Sequence, residues 1–134
     1  MKIVIDTNII ASAIFFGGKP GELVRLLMQD KLEVYVSPEI IEEYQATVSE
    51  LKARYPGKNL RTALPWIISK CTLVEPGSDI HICRDPDDDK FLDCAVDGGC
   101  VLITTGDKDL LSIEEYSGIK IVTVSEFFKN YWKE

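Results

Sequence analysis

The chain has one histidine, His81, and four cysteines with no C-x-x-C pair among them. Cys71, Cys83, Cys94 and Cys100 lack the paired spacing of a structural zinc site. They read instead as small hydrophobes kept reduced, as in a reducing compartment. No Ser-His-Asp nucleophile set can be built around His81, and the G-x-x-x-x-G-K-[ST] phosphate loop is absent. Apolar runs such as Ile9 to Phe16 fall far short of the ~18 residues of a membrane span. The first apolar stretch is interrupted by Asp6, which is wrong for a secretory leader. These absences predict a cytoplasmic chain without membrane attachment. Excess positive charge is also lacking: 15 Lys+Arg stand against 22 Asp+Glu, a formal net charge of -7. A protein that holds nucleic acid mainly by neutralising phosphates is normally basic over its binding face. Here such a role requires a local basic patch or bound cations.

What remains is an ordinary globular composition, 46% hydrophobic and 28% charged over 134 residues. That length suits one domain spanning 1–134, with no repeat, low-complexity tract or linker to divide it. Lys2-Ile3-Val4-Ile5 reads as a buried strand, and helical spacing follows through Ile14 until Gly17-Gly18. Pro20 opens a second helix that ends near Asp30, and residues 33–36 form a second strand. Ser37-Pro38 starts a helix extending to Arg54, with Ser as cap and Pro in the first turn. Further helices are expected over 60–70 and 87–96, the latter stopped by Gly98-Gly99. Strands are expected at 72–74, 101–105 and 119–124, and Ser125 is expected to cap a last helix. Short apolar strands alternating with helices imply a parallel sheet covered on both faces. Ligands of such sheets sit beyond the carboxyl ends of the strands, where Asp6 and Asp107 fall.

Acidic residues recur at these positions. Asp6 follows the first strand; its simplest role is a helix cap, which does not exclude a ligand role. Glu43 lies on the second turn of its helix, about 100° around from Glu42, so at most one of the two faces a shared site. Arg84-Asp85-Pro86-Asp87-Asp88-Asp89-Lys90 places four acids in five positions. Acids near a helix start offset the helix dipole, but one or two suffice and three in a row repel one another. Asp93 lies one turn after Asp89 on the same side and is a second-rank ligand candidate. Asp107 follows Thr104-Thr105-Gly106. Magnesium and manganese favour such oxygen ligands, together with water and substrate phosphate. Converging carboxylates without a cation repel and take up protons.

Four segments in order, Ile3-Val4-Ile5-Asp6-Thr7-Asn8, Ser37-Pro38 through Glu43, Asp85-Pro86-Asp87-Asp88-Asp89-Lys90-Phe91-Leu92 and Thr104-Thr105-Gly106-Asp107-Lys108-Asp109, resemble the PIN-domain family. The nearest likeness is to VapC-like toxin ribonucleases of type II toxin–antitoxin systems. The resemblance implies a three-layer α/β/α sandwich around a central parallel sheet of about five strands. It implies a Mg²⁺- or Mn²⁺-dependent endoribonuclease acting on RNA, with Asp6, Glu43, Asp89 and Asp107 as catalytic and metal-binding residues. Glu42, Asp88 and Asp93 are the neighbours that could replace or join a named ligand; Thr7, Asn8 and Thr105 would orient them. A cognate antitoxin protein and a homodimer are the implied partners. Alternatives are a structure-specific DNA nuclease with the same kind of metal site, or a non-catalytic module of the same fold. Residues 52–61 carry four cations and no acid, the one such stretch in the chain. They read as a solvated helix end or as a phosphate-contacting arm with Tyr55 available for base stacking.

Overall fold

The computed structural model describes residues 1–133. In chain order the elements are β1 (Lys2–Ile5), α1 (Thr7–Phe15), α2 (Gly18–Met28), β2 (Glu33–Val36), α3 (Pro38–Arg54), α4 (Leu64–Lys70) and β3 (Thr72–Leu73). A 3-10 turn (Pro86–Asp88) then leads into α5 (Asp89–Gly98), β4 (Leu102–Thr104), α6 (Lys108–Leu111), β5 (Glu115–Tyr116), β6 (Ile119–Val122) and α7 (Val124–Glu126). The last helix continues as a wider turn over Phe127–Tyr131. Among the described residues no helix is long and apolar enough to cross a membrane.

The strand order is β3-β2-β1-β4-β6-β5. The first five of these strands pair in parallel, and β5 adds a two-residue antiparallel edge. Ile3, Val4 and Ile5 of β1 are wholly buried, as a central strand flanked on both faces requires. From β1 the chain winds outward through β2 to β3, then crosses back to β4. Crossovers of one hand running in opposite directions place their helices on opposite faces of the sheet. Accordingly α1 to α4 pack on one another, and α5 packs on β1, β2 and β4. The fold is α/β, with helices covering a mostly parallel sheet, as expected.

Local chemistry explains most of the boundaries. Ser37 Oγ accepts from the Ile40 amide at 3.3 Å, and Pro38 occupies the first turn of α3. α4 begins at Leu64, later than the expected Leu60, because Pro65 lacks a donor and its ring excludes a preceding helical turn. β6 ends at Val122 instead of Val124. Thr123, in place of Ser125, caps α7 through a reciprocal capping box with Glu126. Gly98 lets the end of α5 approach β2: a Cβ there would meet Tyr35 at 2.9 Å. Gly99 then turns left-handed (φ +67°) to end the helix.

The segment 78–83 has no regular structure, yet its backbone is tied down along α5. Asp97 accepts from Ser78 N (2.9 Å) and Ser78 Oγ (2.7 Å), and Asp93 accepts from Ile80 N (2.9 Å). Asp89 accepts from Ile82 N (3.2 Å) and Cys83 N (2.9 Å). Four helical residues advance about 6 Å and two extended residues about 6.6 Å, so successive turns of α5 meet every second amide of the strap. Asp93→Ala is therefore expected to cost about 1–2 kcal/mol in urea unfolding by leaving the Ile80 amide without its acceptor. Asp93→Asn, which keeps an acceptor oxygen, should cost less. An alanine variant as stable as the parent would show that the strap holds without this rung.

Candidate active site

The strand order reverses between β1 and β4, so their carboxyl ends border the crevice where open α/β sheets bind ligands. Ile5 is in register with Thr104, and the Asp6 amide extends the ladder by donating to the Thr104 carbonyl at 2.9 Å. Asp6 stands at the cap position of α1, but its carboxylate makes no capping bond. Instead Asp6 Oδ2 accepts from the buried Thr105 hydroxyl at 2.6 Å. That hydroxyl in turn accepts from the Asp107 amide at 3.0 Å. One threonine thus couples the acids that follow the two central strands.

Glu43 is delivered from the other side. The wholly buried Tyr44 donates its hydroxyl to the Ile5 carbonyl, fixing α3 against the end of β1. The adjacent Glu43 accepts from the Thr7 hydroxyl through one oxygen. Its other oxygen pairs with Lys90 Nζ at 2.6 Å. Lys90 is largely buried and also donates to the Asp87 carbonyl at 2.7 Å.

These elements enclose an open cleft of about 900 Å³, with Asp6, Glu43, Asp88 and Asp107 among its lining residues. Three of the four expected ligands are therefore brought together, and the fourth, Asp89, is not. Its carboxylate is turned into the 78–83 strap, and Asp88 occupies the cleft position. Asp93 serves the same strap, and Glu42 does not line the cleft. Neighbouring residues at a helix start diverge by about 100°, so a one-residue shift reverses which acid faces the cleft. The signal for Asp89 was present in the i, i+4, i+8 series of Asp89, Asp93 and Asp97, which defines one helical face. The role of Lys90 as the Glu43 partner goes beyond what the acid pattern alone indicates. It lies one turn before the buried Cys94, and a cation on a core-facing position calls for a counter-ion.

The electrostatics follow from crowding. Burial raises the Asp6 carboxyl above its usual range, against the Thr105 hydrogen bond, and the Glu43 and Asp107 charges add to the rise. Desolvation lifts Asp88 to about 7, reinforced by the charge and hydrogen bond of Asp107 and the charge of Asp6. For Asp89, burial is outweighed by the Cys83 and Ile82 amides, which hold it low. Among the described residues no protein cation lies within ion-pair distance of Asp6, Asp88 or Asp107. Nor do any three His, Cys, Asp or Glu side chains among those residues form a ready-made coordination cage. Mg²⁺ ordinarily takes only one or two carboxylates and completes its shell with water and phosphate. An open set of unneutralised oxygens fits that mode of binding.

The four cysteines are free, with Cys94 and Cys100 buried in the core and Cys71 and Cys83 half-buried. His81 is exposed and pairs with Asp79 at 3.0 Å. A more apolar pocket of about 460 Å³ between α1 and α2 is lined by Arg25 and Arg61 but by no carboxylate.

A family model described as PIN domain matches residues 2–109. An uncharacterized protein of Methanocaldococcus jannaschii, MJ1680, is 32% identical, with 99% of this chain and 93% of that protein covered. Among solved structures, the PIN domain endonuclease Utp24 superposes with a TM-score of 0.53 at 24% identity, over 90% of this chain and 82% of that one. PAE2754 from Pyrobaculum aerophilum gives 0.56 at 16% identity, over 96% and 88% respectively. At these identities the two structures speak to the fold alone.

The raised Asp88 carboxyl sets a pH dependence. Its unfolded counterpart releases a proton near pH 3.8, whereas the folded one retains it until about 7. Across that window the folded state holds more protons, so raising the pH favours unfolding. In chelator, Asp88→Asn should show a smaller loss of Tm than the parent between about pH 4 and about pH 7. Identical pH slopes would mean that Asp88 titrates as an ordinary surface acid.

Proposed function

Because the chain belongs to the PIN-domain family, whose members are in general nucleases that use divalent metal ions, we propose that it is a divalent-metal-dependent endoribonuclease. The observation that carries this reading is the cluster of Asp6, Asp88, Asp107 and Glu43 at the ends of β1 and β4, crowded enough to raise two of its acids and, among the described residues, without protein counter-ions at three. Asp6, Asp88 and Asp107 are the residues that would hold Mg²⁺ or Mn²⁺, with Glu43 beside them. A cation bound there supplies Lewis-acid polarisation of a phosphodiester and activation of water.

The chain's own residues do the positioning. Thr105 aims Asp6 and restrains the start of the Asp107 turn, so the acids after β1 and β4 keep a fixed relation. Thr7 and Lys90 hold Glu43 by its two oxygens and prevent it from swinging into solvent. Such supporting contacts commonly contribute about 10–100-fold in metal affinity or activity. The choice of RNA, the role as a toxin, pairing with an antitoxin and dimerisation belong to the same reading and rest on the VapC-like sequence pattern. Utp24 is itself described as an endonuclease, which agrees with cutting within a strand.

Single-stranded RNA and DNA incubated with Mn²⁺, Mg²⁺ or EDTA provide the direct test. Cleavage should require metal and prefer RNA, and it should be lost in Asp6→Asn and Asp88→Asn. Asp89→Asn should still cut while unfolding at lower denaturant. Thr105→Val should lower the rate by about 10–100-fold. Activity that survives chelation, or that survives Asp6→Asn, would overturn the proposal. Preference for DNA would retain the metal site and replace the substrate.

A further inference from the structure

The cleft is rich in acids and offers a polynucleotide little grip of its own. Unpaired positive charge collects elsewhere, where α3 ends. The stretch 52–61 leaves α3, turns at Pro56-Gly57 and returns to the end of α1, where the Arg61 amide donates to the Ile14 carbonyl at 2.9 Å. Arg54 is paired with Glu50, whereas Lys52, Lys58 and Arg61 have no ion-pair partner among the described residues.

Two aromatic rings are exposed at the same place. Phe16, at the end of α1, is 53% exposed and Tyr55, at the end of α3, is 43% exposed. They meet edge to face with ring centres 6.2 Å apart, and Lys58 Nζ lies 4.9 Å from the centre of the Phe16 ring. Large exposed rings beside free cations are the elements of a stacking platform for single strands, since every base has a face that can stack on a ring.

Helix geometry connects this platform to the cleft. Asn8 and Ser12 of α1 and Thr47 of α3 line the cleft. Phe16 lies one turn beyond Ser12, and Tyr55 about two turns beyond Thr47, so the path is roughly 6–12 Å long. Asn8, Ser12 and Thr47, from which it starts, are uncharged and polar.

We infer that Phe16, Tyr55, Lys58 and Arg61 form a docking platform for a single-stranded polynucleotide whose continuation enters the acidic cleft. Bases stack on the two rings, and Lys58 and Arg61 contact the phosphates, which leaves the carboxylates free to act on a neighbouring phosphodiester. What happens in the cleft rests on the nuclease reading; binding at the platform does not.

The test uses the full chain carrying Asp6→Asn and labelled single-stranded RNA and DNA of the same sequence, about 12 nucleotides long. Phe16→Ala with Tyr55→Ala should weaken binding about tenfold or more, and Phe16→Leu, which preserves bulk without an aromatic face, should also weaken it. Lys58→Ala with Arg61→Ala should reduce the salt slope by about 1.4, at ~0.7 per phosphate contact on single strands. Equal loss on RNA and DNA assigns the platform to stacking and phosphate contact, and a larger loss on RNA adds a 2′-hydroxyl contact. With the native Asp6, the platform substitutions should slow cutting of the longer strand far more than cutting of a dinucleotide, whose single phosphodiester leaves no strand to reach the platform. Platform-dependent binding without any cleavage would sink the nuclease reading alone. Cleavage and binding within about twofold of the parent in every platform variant, or a change only in self-association, would overturn this inference alone.

Discussion

β1 and β4 lie side by side only because the chain, after winding outward to β3, crosses back over the sheet. Their register, Ile5 against Thr104, carries one residue further to place Asp6 opposite the turn that contains Thr105 and Asp107. The hydroxyl of Thr105 then converts strand register into side-chain position, donating to one acid and accepting from the amide of the other. Tyr44 extends the same frame to α3 by anchoring on the Ile5 carbonyl. The acids that follow the two central strands are thus positioned by backbone pairing and one buried hydroxyl.

Crowding carboxylates in this way works against folding. Each acid that must ionise in a desolvated, like-charged setting weakens the folded state in the absence of a counter-ion. The protein offsets this only in part. Lys90 compensates Glu43, and among the described residues no cation pairs with Asp6, Asp88 or Asp107. The buried core beneath, including Ile3, Ile5, Ile10, Phe91 and Leu92, supplies stability that the cleft draws upon. A fully buried side chain of this type contributes about 1.5–3 kcal/mol. The net charge of -7 has the same origin in part, since six of the 22 acids fall between Asp85 and Asp97.

Much of the architecture was legible because it is written in periodicity. β1, β2 and α3 follow from β-branched runs and from Ser37-Pro38, and the sheet class follows from their alternation with helices. The acids after β1 and β4 were legible for the same reason, since strand ends are easy to locate. The acid block was harder. Asp88 and Asp89 are chemically identical, and only the turn between a 3-10 segment and α5 decides which one meets the cleft. The bond between Thr105 and Asp6 spans 99 positions, and the platform joins Phe16 to Tyr55 across two helices. Contacts of that kind depend on tertiary pairing, which composition and local spacing do not encode. β5 and α6 were too short to leave a periodic signal.

The strap over residues 78–83 behaves as a strand whose pairing partner is a column of aspartates instead of a backbone. Its rungs repeat every second residue on one side and every fourth on the other, so the two rows share a register. Surface connections ordinarily absorb insertions and deletions with little effect. This one has no such freedom: adding or removing a single residue between Ser78 and Cys83 would move every amide beyond that point off its carboxylate. Length polymorphism in the chain should therefore collect on either side of the strap, in a segment that looks like a loop and is constrained like a sheet.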